Sequence, residues 1–230
     1  MPAIVLLSGG LDSAVNLKRA QEELEVAVAL TFDYGQRAAR REAAAAALMC
    51  RELELSHRLI ELPWLADICE SALVNEETPL PTVRSSQLDE PRVTAGETAE
   101  AVWVPNRNGV FVNIAGAFAD SLKAETIVAG FNAEEAATFP DNSAEFAAAA
   151  TAALSLSTRQ QPRVMSYTQD LTKAEIVRLG REIGAPIDSI WSCYCGGRQE
   201  CWECESCARL ERALREAESW EWFCTHHVCP

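Results

Sequence analysis

Ala3-Ile-Val-Leu-Leu7 runs straight into Ser8-Gly-Gly-Leu-Asp-Ser13, and this junction decides the fold. Five apolar residues in a row read as a strand buried on both faces. Asp12 and Ser13 are residue types that favour a helix N-terminus. Between strand and helix, Gly9 and Gly10 permit positive φ and a close approach of backbone to a ligand. Backbone N–H groups and hydroxyls then converge at the positive end of a helix dipole, which suits an anion such as a phosphate. Two familiar phosphate loops are excluded. The Walker pattern needs a Lys after its last Gly, and Lys18 lies more than a helical turn beyond Ser13. The dinucleotide pattern G-x-G-x-x-G is absent as well.

Outward from that loop, strands and helices alternate. Strands are expected at residues 3–7, 25–32, 57–62, 126–130 and 163–167. Helices are expected at 12–23, 38–53, 109–122, 144–156, 172–183 and from about 206 to 218. Gly184 and Pro186 follow the 172–183 segment as a stop signal. The alternation predicts an α/β fold, a doubly wound parallel sheet with helices on both faces. In such sheets ligands bind beyond the carboxyl ends of the strands, where the Ser8–Ser13 loop would sit. Residues 75–100 interrupt the rhythm with Pro79, Pro81, Pro91 and Gly96. They read as an inserted loop, a lid or a surface excursion. The expected division is residues 1–186 as an α/β domain that carries the anion-binding turn and 187–230 as a metal-binding segment and tail.

Composition narrows the class. The chain has 230 residues, enough for one domain with a small appendage. No apolar run reaches membrane-span length and no basic segment opens the chain, so a cytoplasmic protein without membrane contacts is expected. A net charge of −14 argues against a nucleic-acid partner. A locally positive pocket for a small anion remains compatible with it.

Seven of the nine cysteines lie between Cys193 and Cys229. Without an export signal, this crowding suggests metal binding in preference to a disulfide scaffold. Cys201, Cys204 and Cys207 are spaced C-x2-C-x2-C, with Cys193 upstream. Four thiolates make a closed, structural zinc site. The same spacing opens a ferredoxin motif, but the x3-C-P continuation is missing. Cys195 is a spare thiol or a competitor for Cys193. The stretch Phe223-Cys-Thr-His-His-Val-Cys229 reads either as a second metal site or as a flexible tail with chance ligands.

Ser8–Ser13 is similar to the PP-loop of the ATP pyrophosphatases, which implies an adenine-nucleotide α-hydrolase fold and ATP cleaved between its α- and β-phosphates. The whole chain resembles the 7-cyano-7-deazaguanine synthase family of queuosine biosynthesis. The matching segments are Ser8–Ser13, Tyr34–Arg37, Val104–Asn108 with Phe111, Gly130–Asn132, Phe139–Asp141, Leu171–Ile176 and Ser192–Tyr194 with the three-cysteine cluster. The resemblance implies an ATP-dependent ligase acting on 7-carboxy-7-deazaguanine and ammonia, with Mg²⁺ at the phosphates, a structural Zn²⁺ and a homodimeric state. It assigns Leu7, Ser8, Gly9, Gly10, Leu11, Asp12, Ser13, Ala14, Val15, Asn16 and Leu17 to the ATP segment. Arg37, Arg107 and Lys173 are candidate cations for the phosphates or the substrate carboxylate. Asp12, Ser13, Arg107 and Lys173 are the candidate catalytic set. Phe131, Asn132 and Asp141 are candidate substrate contacts, Asp141 through a substrate amine. Cys193, Cys201, Cys204 and Cys207 are the metal candidates.

Each assignment has a plainer counterpart. The three cations could be solvated, Thr172-Lys-Ala-Glu175 is also an ordinary helix start, and Asp141 could be a turn residue. Phe32 and Phe131 could line a base pocket or belong to the core. The chain also departs from the family pattern. Asn106 stands where Gly is usual, Ala38 where His is, Asn142 and Ser143 where Cys-Arg is, and Trp202 where Gly follows the metal-motif Cys. These changes raise the alternative of a diverged member that adenylates another carboxylate, a deazapurine or a peptide terminus.

Overall fold

The computed structural model describes residues 1–83, 88 and 95–230, with the side chains of 95–98 left aside. In chain order its elements are β1 (Pro2–Leu6), α1 (Leu11–Glu23), β2 (Glu25–Asp33), α2 (Ala39–Glu52), β3 (His57–Glu61), α3 (Trp64–Asp67), α4 (Ala95–Val102) and α5 (Arg107–Leu122). They continue with β4 (Thr126–Val128), α6 (Ala133–Ala136), a 3-10 turn at Pro140–Asn142, α7 (Ala144–Ser157), β5 (Arg163–Met165), α8 (Lys173–Glu182), α9 (Glu205–Glu216) and α10 (Trp220–Phe223). The five strands form one sheet in the order β3-β2-β1-β4-β5, and every pairing is parallel.

Period-two alternation divides β1 between two cores. Ile4 faces α5 and α7, joining Leu30, Ile127 and Leu154. Val5 faces the other way, joining Leu17, Met49, Ile176 and Leu214 from α1, α2, α8 and α9. Both sheet faces are therefore covered, which is why β1 reads as an unbroken apolar run. The chain leaves β1 toward β2 on one side and returns through β4 on the other. The C-terminal ends of β1 and β4 thus flank the point where strand order reverses, the usual ligand crevice of such sheets. Gly130, just past β4, fits against the start of α1 so closely that a Cβ there would lie 2.9 Å from the Ser13 nitrogen.

Three expectations need correction. Only Gly9 uses positive φ (+83°); Gly10 is extended at φ −87° and serves as the N-cap of α1. The 75–100 stretch is not structureless throughout, because its end forms α4. Residues 84–87 and 89–94 of that stretch lie outside the described residues. The tail is neither a second metal site nor loose. Cys224 and Cys229 form a disulfide, and His227 docks on Glu200 (3.1 Å) and on the Asp188 carbonyl (3.0 Å).

Candidate active site

A cleft of about 270 Å³ opens at the switch point. Its floor is the Ser8–Ser13 loop, and β2 contributes Phe32 at its end and Tyr34 just beyond. The walls come from Trp103 to Phe111, from Gly130 to Asn142, from Lys173, and from Trp191 to Tyr194 with the first turns of α9. The loop is braced from within. Ser13 Oγ accepts from Ser8 N at 3.2 Å and donates to the Gly10 carbonyl at 3.0 Å. It is braced from outside by Trp191 N, which donates to the Gly9 carbonyl at 2.9 Å. The first N–H groups of α1 have no carbonyl one turn back, so they remain available to an anion.

At the cleft floor Lys173 Nζ donates to Asp12 Oδ2 at 2.8 Å and to Glu135 Oε1 at 2.6 Å. Thr172 and Glu175 place this lysine by a reciprocal capping box at the start of α8. Its backbone N–H donates to Glu134 Oε1 at 2.8 Å. The ordinary helix start and the candidate site cation are thus the same structure. Burial works against the Lys173 charge, but the two carboxylates outweigh it and hold its pKa above the usual lysine value. Burial raises Asp12 despite the lysine. For Glu135 burial also pushes upward, but Lys173 wins and the net shift is down.

Higher in the cleft, Arg107 Nη1 donates to Tyr34 Oη at 3.2 Å. Burial opposes its charge, and Tyr34 and Asp141 more than compensate. Burial raises Asp141 against the pull of Arg107. Phe32 and Phe111 stack in parallel with centroids 4.1 Å apart. Trp103 and Phe139 form a second parallel pair at 6.1 Å.

The cleft brings together Leu7, Ser8, Gly10, Leu11, Asp12, Ser13, Arg107, Phe131, Asp141 and Lys173. Other candidates lie elsewhere. Ala14, Val15 and Leu17 belong to the buried face of α1, and Gly9 lies beneath the loop against the Glu42 backbone. Asn16 ties α1 to Thr168 Oγ1 at 2.7 Å and to Tyr167 N at 2.8 Å. Asn132 caps α6 by accepting from Glu135 N at 2.9 Å. Arg37 turns away, with Nη2 donating to the Asn75 and Thr78 carbonyls, each at 2.6 Å. Sequence reasoning missed Glu135, Glu134, Gln36, Glu42 and Tyr194, all of which line the cleft. Tyr194, in Ser192–Tyr194, and Gln36, in Tyr34–Arg37, lie in segments that match the family pattern; the three glutamates carry no such signal.

Two groups of side chains have the chemistry of metal ligands. Asp12 Oδ1 is buried with no hydrogen-bond partner among the described residues. A hard oxygen left over beside the Ser8–Ser13 loop fits Mg²⁺. The Sγ atoms of Cys193, Cys201, Cys204 and Cys207 all lie within 4.8 Å of one another. Tetrahedral zinc–sulfur bonds of about 2.3 Å need sulfurs roughly 3.8 Å apart, so the set fits zinc after slight contraction. Backbone N–H groups of Cys201 and Cys204 donate to the sulfurs of Cys193 and Cys201 at 3.4 and 3.3 Å. Cys195 is exposed and outside the group.

The model of the family described as "Queuosine biosynthesis protein QueC" matches residues 2–218. The chain belongs to that family. Three curated relatives are named 7-cyano-7-deazaguanine synthase. The protein of Desulforamulus reducens is 56% identical over 214 residues, 93% of each chain. That of Pelotomaculum thermopropionicum is 54% identical over 217 residues, 94% of this chain and 98% of its own. That of Methanosarcina mazei is 46% identical over 217 residues, 94% of each. Two departures from the QueC pattern have physical explanations. Asn106 adopts φ +51°, and Asn is among the few residues with a side chain that visit this region readily. Trp202, at φ +56°, is held by edge contacts with Trp220 and Phe223 and by an indole hydrogen bond to the Val228 carbonyl at 2.7 Å. Those partners follow residue 218, beyond the family match.

Proposed function

We propose that this chain converts 7-carboxy-7-deazaguanine and ammonia to 7-cyano-7-deazaguanine with ATP. Membership of the QueC family carries this reading. A different acid substrate is not favoured, since a relative with this name is 56% identical over 93% of the chain.

Carboxylates and amides have poor leaving groups, so each must be activated. A substrate carboxylate oxygen attacks the α-phosphate of ATP and pyrophosphate departs. Ammonia then displaces AMP to give the amide. A second ATP activates the amide oxygen, and loss of AMP with both N–H protons leaves the nitrile. The backbone N–H groups and hydroxyls of Ser8–Ser13 suit the departing pyrophosphate. Lys173, fixed between two carboxylates, stands at the loop as a cation that needs no reorganisation when charge develops. Arg107 suits the α-phosphate or the acyl carboxylate. Asp141 suits the amino edge of the deazapurine, with Phe131 and the stacked Phe32–Phe111 pair as apolar walls. Asp12 would hold Mg²⁺, which offsets phosphate charge during transfer. The four cysteines would hold Zn²⁺, which fixes the turn before α9 and, through Trp191, the back of the ATP loop. We further assign a homodimeric state, a cytoplasmic location and no nucleic-acid partner. Among the described residues no helix is long and apolar enough to cross a membrane.

The test is one incubation with ATP, Mg²⁺, ammonium and 7-carboxy-7-deazaguanine. AMP, pyrophosphate and the nitrile by mass spectrometry are expected. ATP consumption without amide or nitrile would overturn the assignment.

A further inference from the structure

One carboxylate of the cleft has neither a role in the proposed reaction nor an ion pair among the described residues. Asp12 and Glu135 share Lys173, Glu134 pairs with Arg212, and Glu205 pairs with Arg209. Asp141 is assigned to the substrate amine. Glu42, from the first turn of α2, makes no ion pair among the described residues. Its Oε2 accepts from Gln36 Nε2 at 2.7 Å. Gln36 is itself locked, accepting from Tyr34 N at 2.9 Å and donating to the Phe32 carbonyl at 3.0 Å. The amide therefore aims the carboxylate, and Oε1 has no hydrogen-bond donor among the described residues. The Glu42 backbone touches the ATP loop, since a Cβ on Gly9 would meet its carbonyl at 2.6 Å. Arg107 from α5 and Asp33 at the end of β2 are the charged groups that face it.

A carboxylate oxygen with no ion pair and no hydrogen-bond donor among the described residues, in the cleft that holds the Ser8–Ser13 loop, suits a small cationic reactant. Ammonia reaches neutral water mostly as ammonium. We propose that Glu42 is the ammonium-binding residue of this cleft, an inference that rests on the adenylation reading above. Glu42 Oε1 accepts one proton from ammonium and leaves ammonia. The nitrogen lone pair attacks the acyl carbon, and the new C–N bond forms as the C–O bond to AMP breaks. AMP departs with that electron pair, and the surplus nitrogen proton passes to phosphate or water. Burial raises the Glu42 pKa, in the direction a proton acceptor needs.

The test compares the parent protein with Glu42→Gln and Glu42→Asp. ATP–pyrophosphate exchange dependent on 7-carboxy-7-deazaguanine reads adenylation alone. Amide formation is followed against ammonium concentration, and hydroxylamine, a neutral nucleophile, reads acyl transfer without ammonium capture. In Glu42→Gln, exchange and hydroxamate formation should stay within about threefold of the parent, while the KM for ammonium rises by at least ~10-fold. Glu42→Asp, with the charge kept, should fall between. An unchanged ammonium KM overturns the proposal. So does a parallel loss of exchange, or a raised Mg²⁺ requirement in its place, which assigns the carboxylate to metal. A parent protein inert in exchange overturns the adenylation reading and the ammonium site with it.

Discussion

Replacing Lys173 by Met removes the positive charge from between two partly buried carboxylates. Lys173 Nζ lies 2.8 Å from Asp12 and 2.6 Å from Glu135. Laid end to end those bonds put the two carboxylate oxygens no more than about 5.4 Å apart, and at an effective dielectric of about 20 their repulsion is about 3 kcal/mol. Removing one member of a buried ionic cluster typically costs about 3–5 kcal/mol; with the Glu135 side chain about a third exposed, the lower end, about 3 kcal/mol, is the loss expected at pH 8. The repulsion corresponds to a rise of about 2 pK units in the variant's carboxylate pair. An acid with a raised folded-state pKa binds its proton more readily when folded than unfolded. Its penalty is then largest at high pH and shrinks as pH falls toward the unfolded value near 4. The Lys173 charge itself, with its pKa raised, contributes fully at both pH 5 and pH 8. The stability loss in Lys173→Met should therefore be smaller at pH 5 by roughly 1–1.5 kcal/mol. Urea unfolding of both proteins at the two pH values, followed by circular dichroism, measures the difference. Equal losses, or a larger loss at pH 5, would refute the shared-lysine arrangement.

Gly130→Ala drives a Cβ against the backbone of Ser13. The variant should lose about 1–3 kcal/mol of stability, and ATP affinity by equilibrium dialysis should fall at least ~10-fold as the loop shifts. Elemental analysis of the purified protein should give one zinc per chain. Cys207→Ser should lose it and melt lower by roughly 6–12 °C, the shift expected for about 3 kcal/mol in a chain of this size; full metal retention would contradict the four-sulfur site. Asn106→Gly should leave stability within about 0.5 kcal/mol, whereas Asn106→Ala should cost about 1–2 kcal/mol because alanine resists the left-handed region. Equal melting temperatures for the two would show that this backbone angle does not set the residue choice.

Much of the site was readable from local chemistry. The Ser-Gly-Gly-x-Asp-Ser turn and the C-x2-C-x2-C run are each confined to a few neighbouring residues, so spacing alone implies their geometry. The alternation of strands and helices was readable for the same reason, because hydrophobic period is a local property. Side-chain direction was harder to read. Arg37 sits in a segment matching the family pattern, yet its guanidinium meets carbonyls 38 and 41 positions away. Gly10 was read by residue type as a positive-φ site, but the N-cap position of α1 requires an extended conformation there. The tail disulfide went unread because compartment reasoning concerns cysteines in general, and only the turn after α10 brings Cys224 and Cys229 together.

By itself the sequence determined the strand–helix alternation of the α/β class, the Ser-Gly-Gly-x-Asp-Ser turn and the thiol cluster, because each is written in residues close in the chain. Only the tertiary structure decided that Lys173 serves Asp12 and Glu135, that Gln36 aims Glu42, and that Trp191 grips the Gly9 carbonyl. Those pairs are joined by packing of distant segments around the reversal point of the sheet. Burial there turns modest surface attractions into forces that fix charge and position.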